Sequence, residues 1–282
     1  MKKFIATDND AGKTLFKFLT KVLNNVPLSK IEKIFRKKEI KINQQKTNNK
    51  KYIVQKNDEI LVYSLDEKKF NQKFIEFDKN LVYNFDILYE DENILIISKK
   101  INVAIHSEAN SLDNQVLSYL NFAQTNSFCP SHIGRIDKAT SGIVVYAKNY
   151  KSLVELKKKQ KFFQKIYCFK STINLEKPIK ISLKLEKNEK LKKMVVSEKS
   201  KTIATTFFYQ EKSEKYAKLI TGKKHQIRVT LAHLKHPIEG DLKYGGRKSS
   251  RLFLHSWKIK FLNLENELKY LNNKEFIDEK QW

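Results

Sequence analysis

Within the 282 residues of the chain, the stretch Gly134-Arg-Ile-Asp-Lys-Ala-Thr-Ser-Gly142 gathers the densest set of reactive side chains. It runs straight into the apolar segment 143–147. Asp137, flanked by Arg135, is therefore expected on a tight loop at the head of a strand, where rigid structure can hold a carboxylate exposed for reaction or proton transfer. The same acid could equally cap a turn. A second stretch, Gly222-Lys-Lys-His-Gln-Ile-Arg228, combines imidazole, amide and guanidinium, and is followed by His236-Pro-Ile-Glu-Gly-Asp241 and Tyr244-Gly245. The closeness of His225, His233 and His236 raises a metal site, but neither cysteine nor an acidic cluster completes a ligand set, so no metal is expected. Tyr167, in Lys165-Ile-Tyr167 at the head of another strand, reads from its residues alone as a half-buried strand tyrosine.

Composition sharpens this focus. Lys and Arg number 56 against 31 Asp and Glu, a formal net charge of +25. A cationic surface releases counterions as it neutralises phosphates, which points to nucleic acid. Lysine, asparagine and isoleucine are abundant throughout, as an AT-rich genome would produce, so part of the charge reads equally well as solvated surface. Against that drift only five arginines remain, Arg36, Arg135, Arg228, Arg247 and Arg251, and their planar forks of donors are what an ammonium cannot reproduce. Six of the seven glycines lie between Gly134 and Gly246, where backbone-critical turns are expected. The apolar runs 94–97 and 143–147 fall far short of the roughly 20 residues of a membrane helix. Cys129 and Cys168 have no CxxC spacing and suit buried thiols in a reducing cytoplasm.

The length accommodates one substantial core and a smaller appended domain, since cores divide above roughly 150 to 250 residues. Leu15, Phe18, Leu19 and Val22 fall at helical spacing. A second helix follows, with Ser29 and Glu32 as a capping box, Ile31, Ile34 and Phe35 as its apolar face, and Lys30, Lys33, Arg36 and Lys37 as an opposing cationic stripe. Strands are expected at 39–43 and 60–63. Together these describe a compact RNA-binding module, although a solvated helix face would look alike. Residues 64–84 are polar and weakly periodic, a plausible linker. Beyond them, short apolar runs at 94–97, 143–147, 166–169, 217–220 and 252–254 predict an α+β domain with a mixed, mainly antiparallel sheet and peripheral helices, one at 153–159.

Several of these segments resemble known families. Residues 10–64 resemble the small RNA-binding domain named after ribosomal protein S-four, with Lys38 where that domain usually has glycine. Gly134–Gly142 resembles the His-Arg-Leu-Asp-x-x-Thr-Ser-Gly motif of the RluA-like pseudouridine synthases, with Gly134 in place of the histidine and His132 nearby as a possible substitute. Lys165-Ile-Tyr167 matches that family's Lys-x-Tyr, Gly222–Arg228 its Gly-Arg-x-His-Gln-Ile-Arg, and Arg251-Leu-Phe-Leu-His255 its Arg-Leu-x-Leu-His. The segment Ile87-Leu-Tyr-Glu-Asp-Glu-Asn-Ile-Leu-Ile-Ile-Ser-Lys99 resembles the opening strand motif, but Lys99-Lys-Ile-Asn102 lacks the proline and glycine of Lys-Pro-x-Gly. The ordered segments span about 200 residues, and with the N-terminal module they are most similar to the RluC/RluD branch, and within it to the RluC type.

The resemblance implies a pseudouridine synthase fold at 85–282, a linker at 65–84 and a small α/β RNA-binding domain at 1–64. It implies an isomerase of large-subunit ribosomal RNA, a cytoplasmic monomer needing no cofactor. Asp137 is then the carboxylate, as nucleophile or electrostatic stabiliser. Arg228 pairs with it, since an adjacent guanidinium favours the ionised form. Tyr167 stacks on the target base and serves in proton transfer. Arg135 enters the RNA where the flipped base had been, while His225, Gln226, Lys30, Lys33, Arg36 and Lys37 join the RNA-contacting set. Two other classes remain in view: a catalytically silent RNA-binding protein of ribosome assembly, and a nucleic acid hydrolase, which would call for a metal cluster.

Overall fold

The computed structural model describes residues 1–63, 65, 82–123, 125–280 and 282, so most of the expected linker at 65–84 lies outside the described residues. The N-terminal unit consists of β1 (Lys2–Ile5), α1 (Leu15–Val22), α2 (Leu28–Arg36), β2 (Ile40–Ile42), β3 (Gln45–Thr47) and β4 (Glu59–Val62), with the strands in the antiparallel order β1-β4-β2-β3. Leu15, Phe18, Leu19 and Val22 of α1 and Ile31, Ile34 and Phe35 of α2 are buried in one core, each contributing roughly 1.5–3 kcal/mol of burial free energy. Leu65 is buried in the same core, one residue beyond the expected boundary at 64.

Both helices match their expected apolar faces, but the capping box at Ser29 is incorrect. The N-cap of α2 is Pro27, without a side-chain bond, and Glu32 instead pairs with Lys50. Proline at φ −55° already sets the first turn, which leaves Ser29 inside the helix. Lys38 takes the left-handed conformation, φ 53°, that glycine favours. Its N–H and that of Glu39 close the helix end on Phe35 O and Ile34 O, both at 3.0 Å.

The second unit runs β5 (Phe85–Glu90), β6 (Ile94–Lys99), α3 (Leu112–Tyr119), β7 (Ser131–Ile133), β8 (Ser141–Ala147), α4 (Tyr150–Lys159), β9 (Gln164–Phe169), β10 (Ile179–Asn188), β11 (Lys193–Val196), β12 (Ile203–Glu211), β13 (Glu214–Leu219), α5 (Gln226–His233), β14 (Leu254–Lys260) and β15 (Glu275–Ile277). Nine strands follow the order β11-β10-β12-β13-β9-β14-β8-β6-β5, while β15 pairs with β14 and β7 with β8. All named pairings are antiparallel except β8 with β14. The expected α+β class with a mixed, mainly antiparallel sheet is what the chain adopts.

All of β8 is buried because both faces of the sheet are covered. Ile143, Val145 and Ala147 pack with Leu156 of α4 and Phe261, whereas Val144 and Tyr146 pack with Leu112 and Val116 of α3. At the parallel junction a side chain on residue 142 would lie 2.4 Å from Ser256 O, and Gly142 has φ 109°; only glycine permits this approach. Beside it, Ser141 Oγ bonds His255 Nδ1 (2.8 Å) and Arg251 Nη2 (2.5 Å), tying two of the sequence motifs together. No helix among the described residues is long and apolar enough to cross a membrane.

Candidate active site

Strands β7 and β8 form a hairpin, with Ser131 opposite Ala147, and the loop 134–140 is its tip. Gly134 turns the chain with φ 74°, and Thr140 N–H closes the next turn on Asp137 O at 3.0 Å. Lys99, fully buried at the end of β6, braces this loop from below: its ammonium donates to Lys138 O (3.0 Å) and Lys100 O (2.8 Å). Burial pushes the Lys99 ammonium down to about 7, with Asp137 opposing the fall. Asn102, where the resemblance would place glycine, keeps the turn through φ 62°, a conformation asparagine tolerates better than most residues.

The Asp137 side chain is 25 % exposed, and its Oδ2 accepts from Arg228 Nη1 at 2.7 Å. Arg228 projects from the buried helix α5, and its other two donors, Nε and Nη2, grip Asp241 at 2.7 and 2.8 Å. Three donors of the guanidinium thus serve two carboxylates, a division a lysine cannot make. Burial disfavours the charge on Arg228, but the bonds and charges of Asp241 and Asp137 outweigh it and raise its affinity for the proton. His225, in a left-handed conformation with φ 54°, starts α5. Its Nδ1 lies 2.7 Å from Tyr244 Oη and its Nε2 3.6 Å from Asp137 Oδ1. Burial pushes this imidazole down to about 4, so it is neutral at pH 7. The tautomer in which Tyr244 donates to Nδ1 turns the Nε2 proton toward Asp137.

An open cleft of about 590 Å³ surrounds these groups, lined among others by Arg135, Asp137, Tyr167, His225 and Arg228. That volume is within the range of small-ligand sites. Tyr167 sits on β9 between Ala217 and Ser256. Burial pushes its phenol up to about 12, and the Asp137 charge adds to the rise, so the hydroxyl keeps its proton at pH 7. Arg135 is exposed at the rim, its Nη1 2.6 Å from His106 Nε2.

The structure therefore brings Asp137, Tyr167, Arg228, Arg135 and His225 to one cleft. Lys30, Lys33 and Arg36 lie elsewhere, on the solvent face of α2, with Lys37 just past its end, all exposed and, among the described residues, without an ion-pair partner. Two expectations need correction. Gln226 also borders the cleft, but its amide is saturated within the protein, accepting from Thr221 Oγ1 and Lys223 N and donating to Thr205 O and Thr206 Oγ1; it holds the loop and has nothing left for RNA. His132 is not among the residues lining the cleft, and its Nδ1 is bonded to Asp113 Oδ1 at 2.9 Å. Residue reasoning overlooked Asp241, Tyr244 and His106. The first two stood inside the quoted motif segment, but only the fold brings them to Arg228 and His225; His106 had no signal.

A family model described as RNA pseudouridylate synthase matches residues 93–233, which include Asp137, Tyr167 and Arg228. The chain belongs to the RNA pseudouridylate synthase family. It is 38 % identical to an uncharacterized RNA pseudouridine synthase of Mycoplasma capricolum, over 100 % of this chain and 99 % of that one. It is 32 % identical to the ribosomal large subunit pseudouridine synthase C of Buchnera aphidicola (subsp. Schizaphis graminum), over 89 % of this chain and 86 % of that one. Among solved structures, human RNA pseudouridylate synthase domain containing 1 superposes with a TM-score of 0.54 at 22 % identity, covering 62 % of this chain and 78 % of that one, a likeness of fold. The chain is an RNA pseudouridine synthase, an isomerase.

Proposed function

We propose that this synthase converts specific uridines of large-subunit ribosomal RNA to pseudouridine, with Asp137 as the catalytic carboxylate acting on an everted nucleotide. The observation that carries this reading is the Asp137 carboxylate, open to the cleft and held at 2.7 Å by a guanidinium that Asp241 itself fixes. The named relatives that act on the ribosomal large subunit support the choice of RNA.

The reaction breaks the bond between the ribose and N1 of uracil, turns the base, and joins the same sugar carbon to C5. N1 gains a proton and C5 loses one, so the isomerisation balances without a co-reactant. An ionised carboxylate serves the first step by attack or by stabilising the electron-poor centre. Inside structured RNA the bond is out of reach, so the nucleotide must be flipped out at a cost of a few kcal/mol. Arg135, exposed at the rim, takes the vacated place. Tyr167 covers the base on one side and keeps its proton for transfer.

Residues 1–64 act as the RNA-binding domain, joined through 65–84 to the catalytic domain at 85–282, and the protein works as a cytoplasmic monomer. Lys30, Lys33, Arg36 and Lys37 add phosphate contacts that raise affinity without reading bases. Pseudouridine mapping of ribosomal RNA from cells with and without the protein tests the reading. Loss of one or a few large-subunit sites is expected. An unchanged map would overturn the assignment of large-subunit ribosomal RNA as the substrate.

A further inference from the structure

Among the described residues, the N-terminal unit meets the rest of the chain through buried polar groups. Asp10, 1 % exposed, accepts through Oδ1 from the backbone N–H of Ser127 (2.8 Å) and from the Ser127 hydroxyl. Its Oδ2 accepts from the N–H (2.8 Å) and hydroxyl (2.7 Å) of Thr7, so both oxygens are occupied. Lys13, also buried, donates to Ser127 Oγ at 2.6 Å and Asn9 O at 2.7 Å, and its ammonium lies 4.2 Å from the centre of the Tyr150 ring. Asn9 Oδ1 accepts from Tyr150 N–H at 2.9 Å. The Ser127 hydroxyl thus bridges a buried anion and a buried cation.

The places these residues touch share one element. Ser127 precedes β7, and Tyr150 opens α4 directly after β8. Because Ser131 pairs with Ala147, both lie at the base of the hairpin whose tip carries Asp137. The seven residues of β8 separate base from tip, about 20 Å at roughly 3.4 Å per step.

We propose that Asp10, Lys13 and Ser127 form a latch that fixes the N-terminal module on the base of the β7–β8 hairpin, so that module and catalytic loop act as one rigid ruler whose offset selects the uridine presented to Asp137. Buried charges hold one geometry because each must meet its own partner, and sliding by a residue would leave them unpaired in low dielectric. An apolar contact would tolerate such sliding. A module merely tethered to the catalytic domain would raise local RNA concentration but set no offset. The consequence for target choice rests on the function proposed above; the rigidity does not.

The test uses the full-length chain with spin labels on cysteines introduced at the exposed positions Lys46→Cys and Lys157→Cys, in a Cys129→Ser, Cys168→Ser background. Pulsed dipolar spectroscopy should give one narrow distance for the parent and a broad distribution for Asp10→Asn combined with Lys13→Met, with Ser127→Ala between them. On a long large-subunit RNA fragment the double variant should lose about tenfold in kcat/KM at the natural site and gain modification elsewhere. A minimal stem-loop covering only the target should be modified at the parent rate. A broad distribution in the parent overturns the proposal, as does unchanged site choice once the distribution has broadened. A narrow distance without any pseudouridine would instead leave the latch standing and remove the functional reading.

Discussion

Replacing Arg228 by lysine keeps the charge and removes the fork. In the wild type Nε and Nη2 hold Asp241 and Nη1 holds Asp137, at 2.7–2.8 Å. A single ammonium can satisfy one carboxylate at that distance, so two of three charge-assisted bonds are lost. At roughly 1.5–3 kcal/mol each, and with Asp241 almost fully buried, the expected loss of stability is about 3–6 kcal/mol. For a chain of this size that lowers Tm by about 6–24 °C. If the ammonium stays with Asp241, Asp137 loses one oriented bond, about 1.5–3 kcal/mol, which is about 10- to 150-fold in turnover. The assay is single-turnover release of tritium from C5 of labelled uridine in the target RNA, run well below the lowered Tm, with RNA affinity measured alongside. Slowed release at unchanged affinity is expected. Wild-type release together with an unshifted Tm would refute the idea that one guanidinium positions the carboxylate.

Asp241→Asn should lower Tm and slow turnover in the same direction as Arg228→Lys, and combining the two should cost less than their sum, as a double-mutant cycle would read. Gly142→Ala should destabilise by about 2–6 kcal/mol in denaturant unfolding, because its methyl would meet the Ser256 backbone and φ 109° strains any side chain. Changing Lys30, Lys33, Arg36 and Lys37 together to alanine should flatten the slope of log affinity against log salt by about 3 and leave single-turnover chemistry at saturating RNA unchanged. Lys99 has its folded pKa lowered to about 7, so between that value and the unfolded one near 10.4 the unfolded chain binds more protons and stability rises with pH. Thermal unfolding between pH 7 and 9.5 should show that rise reduced in Lys99→Met.

The parts legible in the sequence were those written as local pattern. The apolar faces of α1 and α2, the run that becomes β8 and the loop carrying Asp137 each declare themselves within a few residues. Strands β10 and β12 form no continuous apolar run: β10 alternates apolar and polar residues from Ile179 to Glu186, a strand pattern that a search for apolar runs passes over, β12 carries Thr205 and Thr206 in its middle, and α3 has only a weakly amphipathic face. The capping box at Ser29 failed because Pro27 caps the helix two residues earlier. In the site, arginine retained against a drift to lysine marked Arg228 correctly as a residue with a geometric task, but its second carboxylate, Asp241, emerges only when the chain folds back over thirteen residues. Gln226 was placed with the RNA-contacting residues for its motif, whereas its four bonds hold the loop. The latch is the least legible feature, since Asp10 and Ser127 stand 117 residues apart with no local signature in either.

The Asp137 carboxylate is the group on which the proposed chemistry depends. Asp137→Asn keeps the shape and removes the charge, so purified variant and wild type should be compared on a transcript of large-subunit ribosomal RNA, with pseudouridine mapped base by base and affinity measured on the same RNA. Product should fall by at least about 10³-fold while affinity stays within about threefold. Pseudouridine formed at the wild-type rate by the asparagine variant would contradict that dependence.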